Sequence, residues 1–191
     1  MFDVKIEEKF LENNTVCVFG VIDDEMSKKV CKQLLFLQFK FKEECSINSK
    51  VVVLINSPGG SVTAGLAIHD CLTSLGCDII TICLGQASSM GALLLSAGTK
   101  RYALTNSEIM IHQVLGGAQG QASDIVIHCE HIVKTKKRLN QILAKNTKKT
   151  EEQIKLDTER DYYMSPLEAK EYGIIDNILN SFYEVYYEIS N

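Results

Sequence analysis

No stretch of this 191-residue sequence approaches the roughly 18 consecutive apolar residues that a membrane-spanning helix needs, so no span is expected. Met1 to Phe10 alternates charge with hydrophobes and has no apolar h-region, so it is not read as a signal peptide. Basic residues do not dominate. The 20 Lys and Arg stand against 24 Asp and Glu, a formal net charge of -4, which leaves no basic stripe for a nucleic-acid partner. The seven cysteines form no CxxC pair, and several sit in apolar runs such as Val16-Cys17-Val18 and Ile82-Cys83-Leu84. That pattern argues against a disulfide framework or zinc site, and points to buried reduced thiols in a cytoplasmic protein. No metal or cofactor is expected. There are only two prolines, Pro58 and Pro166, and no repeat, linker or low-complexity segment. With 46% hydrophobic residues, the chain is expected to form a single domain over residues 1–191 with a substantial core.

What is present is an alternation of strands and helices. Thr15–Phe19 predicts a short strand, and Asp23-Asp24 cap a helix over Met26–Phe39. Lys50–Ile55 is a continuous apolar run, the pattern of a strand buried on both faces, and it stops at the turn Asn56-Ser57-Pro58-Gly59-Gly60. A helix over Val62–Leu75, a strand over Asp78–Leu84 and an apolar helix over Met90–Ala97 follow. Glu108–His112 predicts a strand, Ala122–Lys145 a long helix and Glu151–Arg160 a shorter one. A helix after Pro166, a strand over Ile174–Leu179 and an aromatic tail complete the chain. The order predicts an α/β protein with a largely parallel sheet, whose ligands gather at the carboxyl ends of the strands.

Two strand-to-helix junctions carry unusual residues. Ser89 lies in Gly85-Gln86-Ala87-Ser88-Ser89-Met90-Gly91, at the start of a helix, where first-turn N–H groups face any anion formed there. This placement is functionally similar to a hydrolase nucleophile elbow, although GxSxG is absent. The alternative is that Ser88 and Ser89 simply cap the helix. A nucleophilic serine needs a base, and His112, at the end of an apolar strand, is one candidate. His69, His128 and His131 compete. A carboxylate must orient the imidazole. Asp161 serves, but so by local sequence would Asp157 or Asp176. The N–H groups of Gly60 and Met90 are candidate oxyanion donors, with a plain tight turn as the alternative for Gly59-Gly60.

Taken together, the segments Asn56–Gly60, Gly85–Gly91, Ile109-Met110-Ile111-His112-Gln113, Gly120–Asp124 and Asp157–Asp161 resemble the successive signatures of the Clp protease proteolytic subunits, the ClpP family. The resemblance runs from about Val16 to Leu179. It implies a crotonase-like ClpP fold, a spiral of ββα units with a protruding handle helix. It implies a serine endopeptidase with Ser89 as nucleophile, His112 as base, Asp161 as orienting acid, and Gly60 and Met90 as oxyanion donors. Leu115, Gly116 and Gly117 match a segment that pairs with substrate peptide by main-chain hydrogen bonds. The resemblance further implies a homo- or hetero-oligomer of two stacked heptamers enclosing a degradation chamber. Unfolded protein substrates would be threaded in by a separate AAA+ unfoldase such as ClpX, ClpA or ClpC, since the chain carries no P-loop signature. Nucleic acid and membrane are not expected partners.

In the long helix Ile125, Ile132 and Leu139 recur every seven positions, flanked by Val126, Val133, Ile142 and Leu143. The stripe either covers the domain's own core or forms an oligomer contact. Arg160 matches a residue that members use in ring-to-ring ion pairing. Three departures stand out. Little chain precedes Phe2, where members carry axial loops. Val114 stands where members carry proline. Val52 and Leu54 stand where members carry aromatics that line ATPase-docking clefts. These departures suggest a divergent second paralogue working in a mixed complex, with altered partner affinity. An inactive or regulatory ring subunit is the alternative function, and a crotonase-type acyl-CoA enzyme a more distant one.

Overall fold

The computed structural model describes residues 2–43, 49–181, 183, 184 and 187; Cys45 and most of the aromatic tail fall outside them. In chain order the elements are α1 (Phe2–Glu12), β1 (Thr15–Phe19), α2 (Asp24–Glu43), β2 (Lys50–Ser57), α3 (Val62–Thr73), β3 (Asp78–Ser88) and α4 (Met90–Ser96). Then come β4 (Lys100–Leu104), β5 (Glu108–Ile111), α5 (Ala122–Thr147), α6 (Glu151–Asp157), β6 (Tyr162–Met164), α7 (Pro166–Tyr172) and β7 (Asn177–Leu179). This is the mixed α/β architecture the alternating pattern predicts.

Strands β1, β2, β3, β4 and β7 lie side by side in that order and run parallel. β3 is longer than its apolar run suggests because it serves two partners. Ile80–Cys83 pair with β4, while Gln86–Ser88 pair in parallel with β5. β5 in turn carries β6 antiparallel. The far end of β3 is thus drawn away from the main sheet, and Ser89 follows at once.

The continuous apolar run of β2 has a direct structural cause. Val51, Val53 and Ile55 point into the larger core, while Val52 and Leu54 point into a second cluster on the opposite face. Helices α2, α3 and α4 cover the first face. Val30, Leu34 and Leu37 of α2 and Ile68 and Leu72 of α3 are essentially fully buried there. Each such side chain contributes roughly 1.5–3 kcal/mol of transfer free energy. On the second face Ile80, Ile82, Tyr102 and Leu179 gather, with Phe10 of α1 against them.

α5 is two helices in character. Its second half is anchored through buried Asn140, Leu143, Ala144 and Thr147. Its first half exposes Ile125, Val126 and Ile127, and Val133 further on. The apolar stripe is therefore not spent on this chain's own core along its whole length. α6 ends at Asp157, earlier than the sequence pattern suggests. Thr158 turns its hydroxyl back to the Ile154 carbonyl at 2.7 Å, and Glu159 and Arg160 leave the helix.

Candidate active site

Ser89 occupies the N-cap position of α4, with φ 56° and ψ -119°. A positive φ is uncommon for a residue with a side chain and costs of order 1–3 kcal/mol. The strain is held by neighbours on both sides. Ser88 pairs with Met110 in the sheet, and the Ser89 N–H donates to the Met110 carbonyl at 2.8 Å. All seven residues of α4 that follow are buried. The capping alternative fails for this serine, whose side chain makes no cap hydrogen bond. By contrast Ser61, Thr150 and Ser165 accept from first-turn N–H groups of α3, α6 and α7. The backbone leaves the Ser89 hydroxyl free for other work.

The Gly59-Gly60 turn presses against this strained corner. A Cβ on Gly59, which has φ +90°, would lie 2.7 Å from both the Ser88 carbonyl oxygen and Ser89 Cβ. Gly60 bridges Ile22 in parallel: the Ile22 N–H donates to the Gly59 carbonyl at 2.8 Å, and the Ser61 N–H to the Ile22 carbonyl at 2.7 Å. In such a bridge the central residue's own N–H points the other way. Gly60 therefore turns its N–H from Ile22, and it lines the same cleft as Ser89 and Met90. Met90 is the first residue of α4, whose N–H has no partner within the helix.

The opposite wall of the cleft includes Ile111, the last residue of β5, and the residues that follow it, and β5 is paired with β6. Their antiparallel pairs are Ile109 with Met164, Met110 with Tyr163 and Ile111 with Tyr162. Continuing that register by one step sets His112 opposite Asp161. Their side chains meet, His112 Nδ1 lying 3.2 Å from Asp161 Oδ1. His112 is largely buried, whereas Asp161 is more than half exposed. β5 is shorter by one residue than the sequence predicts, and His112 is the first residue beyond it. Among the described residues no hydrogen bond joins Ser89 Oγ to His112, although both line the cleft.

The competing residues lie elsewhere, and three of them are engaged there. His69 pairs with its neighbour Asp70 on α3 at 3.1 Å, and His128 and His131 are exposed on α5. Asp157 accepts from the Tyr172 hydroxyl at 2.7 Å and from Gln153 Nε2 at 2.8 Å. Burial, and then this carboxylate, push the Tyr172 hydroxyl far above its ordinary pKa. Asp176 is held by Arg101 through Oδ1 at 2.5 Å and Oδ2 at 3.0 Å.

The cleft has a volume of about 220 Å³. Its apolar floor of Leu93, Ile111, Leu139 and Leu143 is interrupted by the buried amide of Asn140. The sequence pattern singled out Leu139 and Leu143 only as part of the α5 stripe, and gave no signal for Asn140 or Leu93. Leu115 lines the cleft and is strongly exposed. Gly116 sits against Ile132 of α5, and Gly117 has open space around its Cα. Residues 112–119 form no strand here. Free N–H and C=O groups along such a segment become a ladder only when a partner strand lies beside them.

Of the cysteines, Cys17, Cys31, Cys71, Cys77, Cys83 and Cys129 are all free thiols. Cys83 is buried, and burial pushes its thiol to about 11. No helix among the described residues is long and apolar enough to cross a membrane.

A comparison with protein families finds a match to the Clp protease family over residues 2–182. The mixed α/β architecture with its projecting α5 is consistent with the fold expected of that family.

Proposed function

The chain belongs to the Clp protease family, and from that premise we propose that it is a serine endopeptidase subunit with Ser89 as nucleophile, His112 as base and Asp161 as orienting acid. The observation that carries this reading is the His112 Nδ1–Asp161 Oδ1 contact of 3.2 Å, made by a histidine that lines the same cleft as a strained serine whose hydroxyl caps nothing.

The chemistry follows from the atoms involved. Asp161 accepts a hydrogen bond from the Nδ1–H group, which keeps that proton on Nδ1 and leaves Nε2 as the unprotonated acceptor. As Ser89 Oγ adds to the scissile carbonyl, Nε2 takes its proton. The developing oxyanion faces the N–H groups of Gly60 and Met90, donors fixed in advance by the turn and the helix start. When the tetrahedral species collapses, His112 gives the proton to the departing amine. Water, deprotonated by the same imidazole, then releases the acyl group and restores Ser89.

Leu115, Gly116 and Gly117 offer main-chain donors and acceptors to an extended peptide, a mode that suits substrates of varied sequence. The exposed apolar first half of α5 supports an oligomeric assembly, which for this family is expected to be two stacked heptamers, homomeric or mixed. In that assembly an AAA+ unfoldase such as ClpX, ClpA or ClpC would deliver unfolded protein to an enclosed chamber.

The absence of a Ser89–His112 hydrogen bond favours a second reading, a regulatory or inactive ring subunit. Catalytic hydrogen bonds often tighten only when substrate is bound, so the two readings separate in an assay. Hydrolysis of a fluorogenic acyl-peptide and labelling by a fluorophosphonate should both be lost in Ser89→Ala. Equal hydrolysis by wild type and Ser89→Ala would overturn the peptidase reading. An unlabelled wild-type serine in assembled protein would favour the regulatory one.

A further inference from the structure

The β5–β6 ladder ends at Ile111 and Tyr162, one step before the His112–Asp161 contact. No further main-chain rung holds the two segments together, yet the contact needs them in register. The next position is closed by side chains. Gln113 Nε2 donates to the Glu159 main-chain carbonyl at 2.9 Å. The amide thereby crosses from the residue after His112 to the segment just before Asp161. Its oxygen is then fixed from a third element: Lys136 Nζ, on α5, donates to Gln113 Oε1 at 2.8 Å and to Glu159 Oε2 at 3.1 Å.

We propose that Lys136 is a positioning residue for the His112–Asp161 pair, acting by locking Gln113 as a side-chain rung beyond the end of the β5–β6 ladder. The proposal rests on the reading of Ser89, His112 and Asp161 given above. Three features set this cation apart from an ordinary surface ion pair. Its side chain is only 22% exposed, against 57% for Glu159. It bonds both halves of the rung rather than one carboxylate alone. The rung it fixes is flanked in sequence by the two residues whose contact is at stake. The hydrogen bond from Lys136, and then its charge, hold the Glu159 carboxyl below its ordinary pKa. Among the described residues no hydrogen bond or ion pair joins Lys136 to His112 or Ser89, so its effect is on geometry. A small misplacement of reacting groups is enough to cost one to two orders of magnitude in rate.

The test compares wild type, Lys136→Met, Lys136→Arg and Ser89→Ala as assembled protein, using one short fluorogenic peptide. Lys136→Met keeps the stem of the side chain and removes its donors. It is expected to lower kcat about tenfold with KM within about twofold, at unchanged Tm and unchanged elution volume. Lys136→Arg, which retains donors for both acceptors, is expected to recover most of that loss. Wild-type kcat in Lys136→Met, or no recovery in Lys136→Arg, overturns the proposal. Ser89→Ala separates the two levels of inference. If it is inactive while Lys136→Met is normal, only the positioning role fails; if it hydrolyses like wild type, the serine reading itself fails. Should Lys136→Met lower Tm, a cycle with Gln113→Met decides. Because both changes break one clamp, the double variant should lose little more kcat than either single one, whereas additive losses overturn the proposal.

Discussion

Gly59→Ala isolates the contact that shapes the strained serine corner. Two costs are expected. An L residue at φ +90° leaves the conformations its Cβ tolerates, a penalty of roughly 1–2 kcal/mol. The new methyl would also lie 2.7 Å from the Ser88 carbonyl oxygen and from Ser89 Cβ, and 3.0 Å from Met90 N. Normal carbon contacts fall at about 3.5–4.0 Å, so the overlap is near an ångström, and two of the three opposing atoms are backbone that cannot swing aside. Overpacking of this kind costs about 1–3 kcal/mol. The sum, roughly 2–5 kcal/mol, corresponds to a Tm lower by about 4–20 °C for a chain of this size. The same displacement moves Ser89 and the Met90 N–H, so activity should fall about 100-fold even where the protein remains folded. Gly76→Ala is the matched control. Its φ is +68° and no atom lies within 4 Å of the added Cβ, so only the conformational cost applies and peptide hydrolysis should be normal. Thermal unfolding and peptide hydrolysis of the two variants, side by side, give the contact term by difference. If Gly59→Ala matches Gly76→Ala in both measurements, the close approach of the two turns is not what fixes the serine.

Two further outcomes can be stated. Arg101 ties β4 to Asp176 and to the carbonyls of Asn146 and Gly173, so Asp176→Asn should destabilise by roughly 1–2 kcal/mol, the charged hydrogen bonds being discounted for the partial exposure of the carboxylate. Burial opposes ionisation of Asp176, but the hydrogen bonds and charge of Arg101 outweigh it and lower its pKa; a lowered folded-state pKa stabilises above the unfolded value of about 3.9 and is lost as pH falls through the folded one, so wild-type and variant urea midpoints should differ at pH 7 and converge in acid. Cys129 is exposed on the projecting half of α5 while Cys83 is buried with its thiol at about 11, so a neutral maleimide should modify Cys129 at least 100-fold faster in the free chain. If α5 forms the contact between copies, Cys129 should become protected in the assembled fraction, and equal labelling in both fractions would refute that role for the helix.

Elements whose stability comes from a continuous or periodic apolar pattern were legible in the sequence. β2, α3 and α4 are there within a residue or two, because burial on both faces, or on a helical stripe, leaves a mark in every turn of the chain. Elements that exist only because something lies beside them were not. β4 begins Lys100-Arg101 and buries only Tyr102 and Ala103, so it has no apolar run of its own. β6 is three residues long, with Tyr162 and Tyr163 exposed, and is a strand only through pairing with β5. α1 is exposed from Val4 to Lys9 and touches the fold mainly through Phe10 and Leu11. The extension of β3 past Gly85 has the same origin: its last residues are strand because β5 takes over where β4 leaves off.

The candidate site divides along the same line. Ser89, Gly60 and Met90 sit at strand-to-helix turns that local sequence announces, although the same residues also suit a plain helix cap or tight turn. The carboxylate is different. Asp157, Asp161 and Asp176 are chemically the same group, and nothing within a few residues of any of them favours one. Three distant contacts discriminate. Tyr172 of α7 claims Asp157, Arg101 of β4 claims Asp176, and Asp161 falls opposite His112 because β5 and β6 pair in one register. A slip of one residue in that ladder would turn every side chain of the slipped strand to the other face and set Arg160 or Tyr162 opposite His112 in place of Asp161. Which carboxylate stands beside His112 is thus a property of strand register, set by pairs such as Ile109 with Met164, both essentially fully buried. It follows that substitutions at those apolar positions, far from any polar chemistry, act on the His112–Asp161 geometry through the same ladder that the Gln113 rung extends.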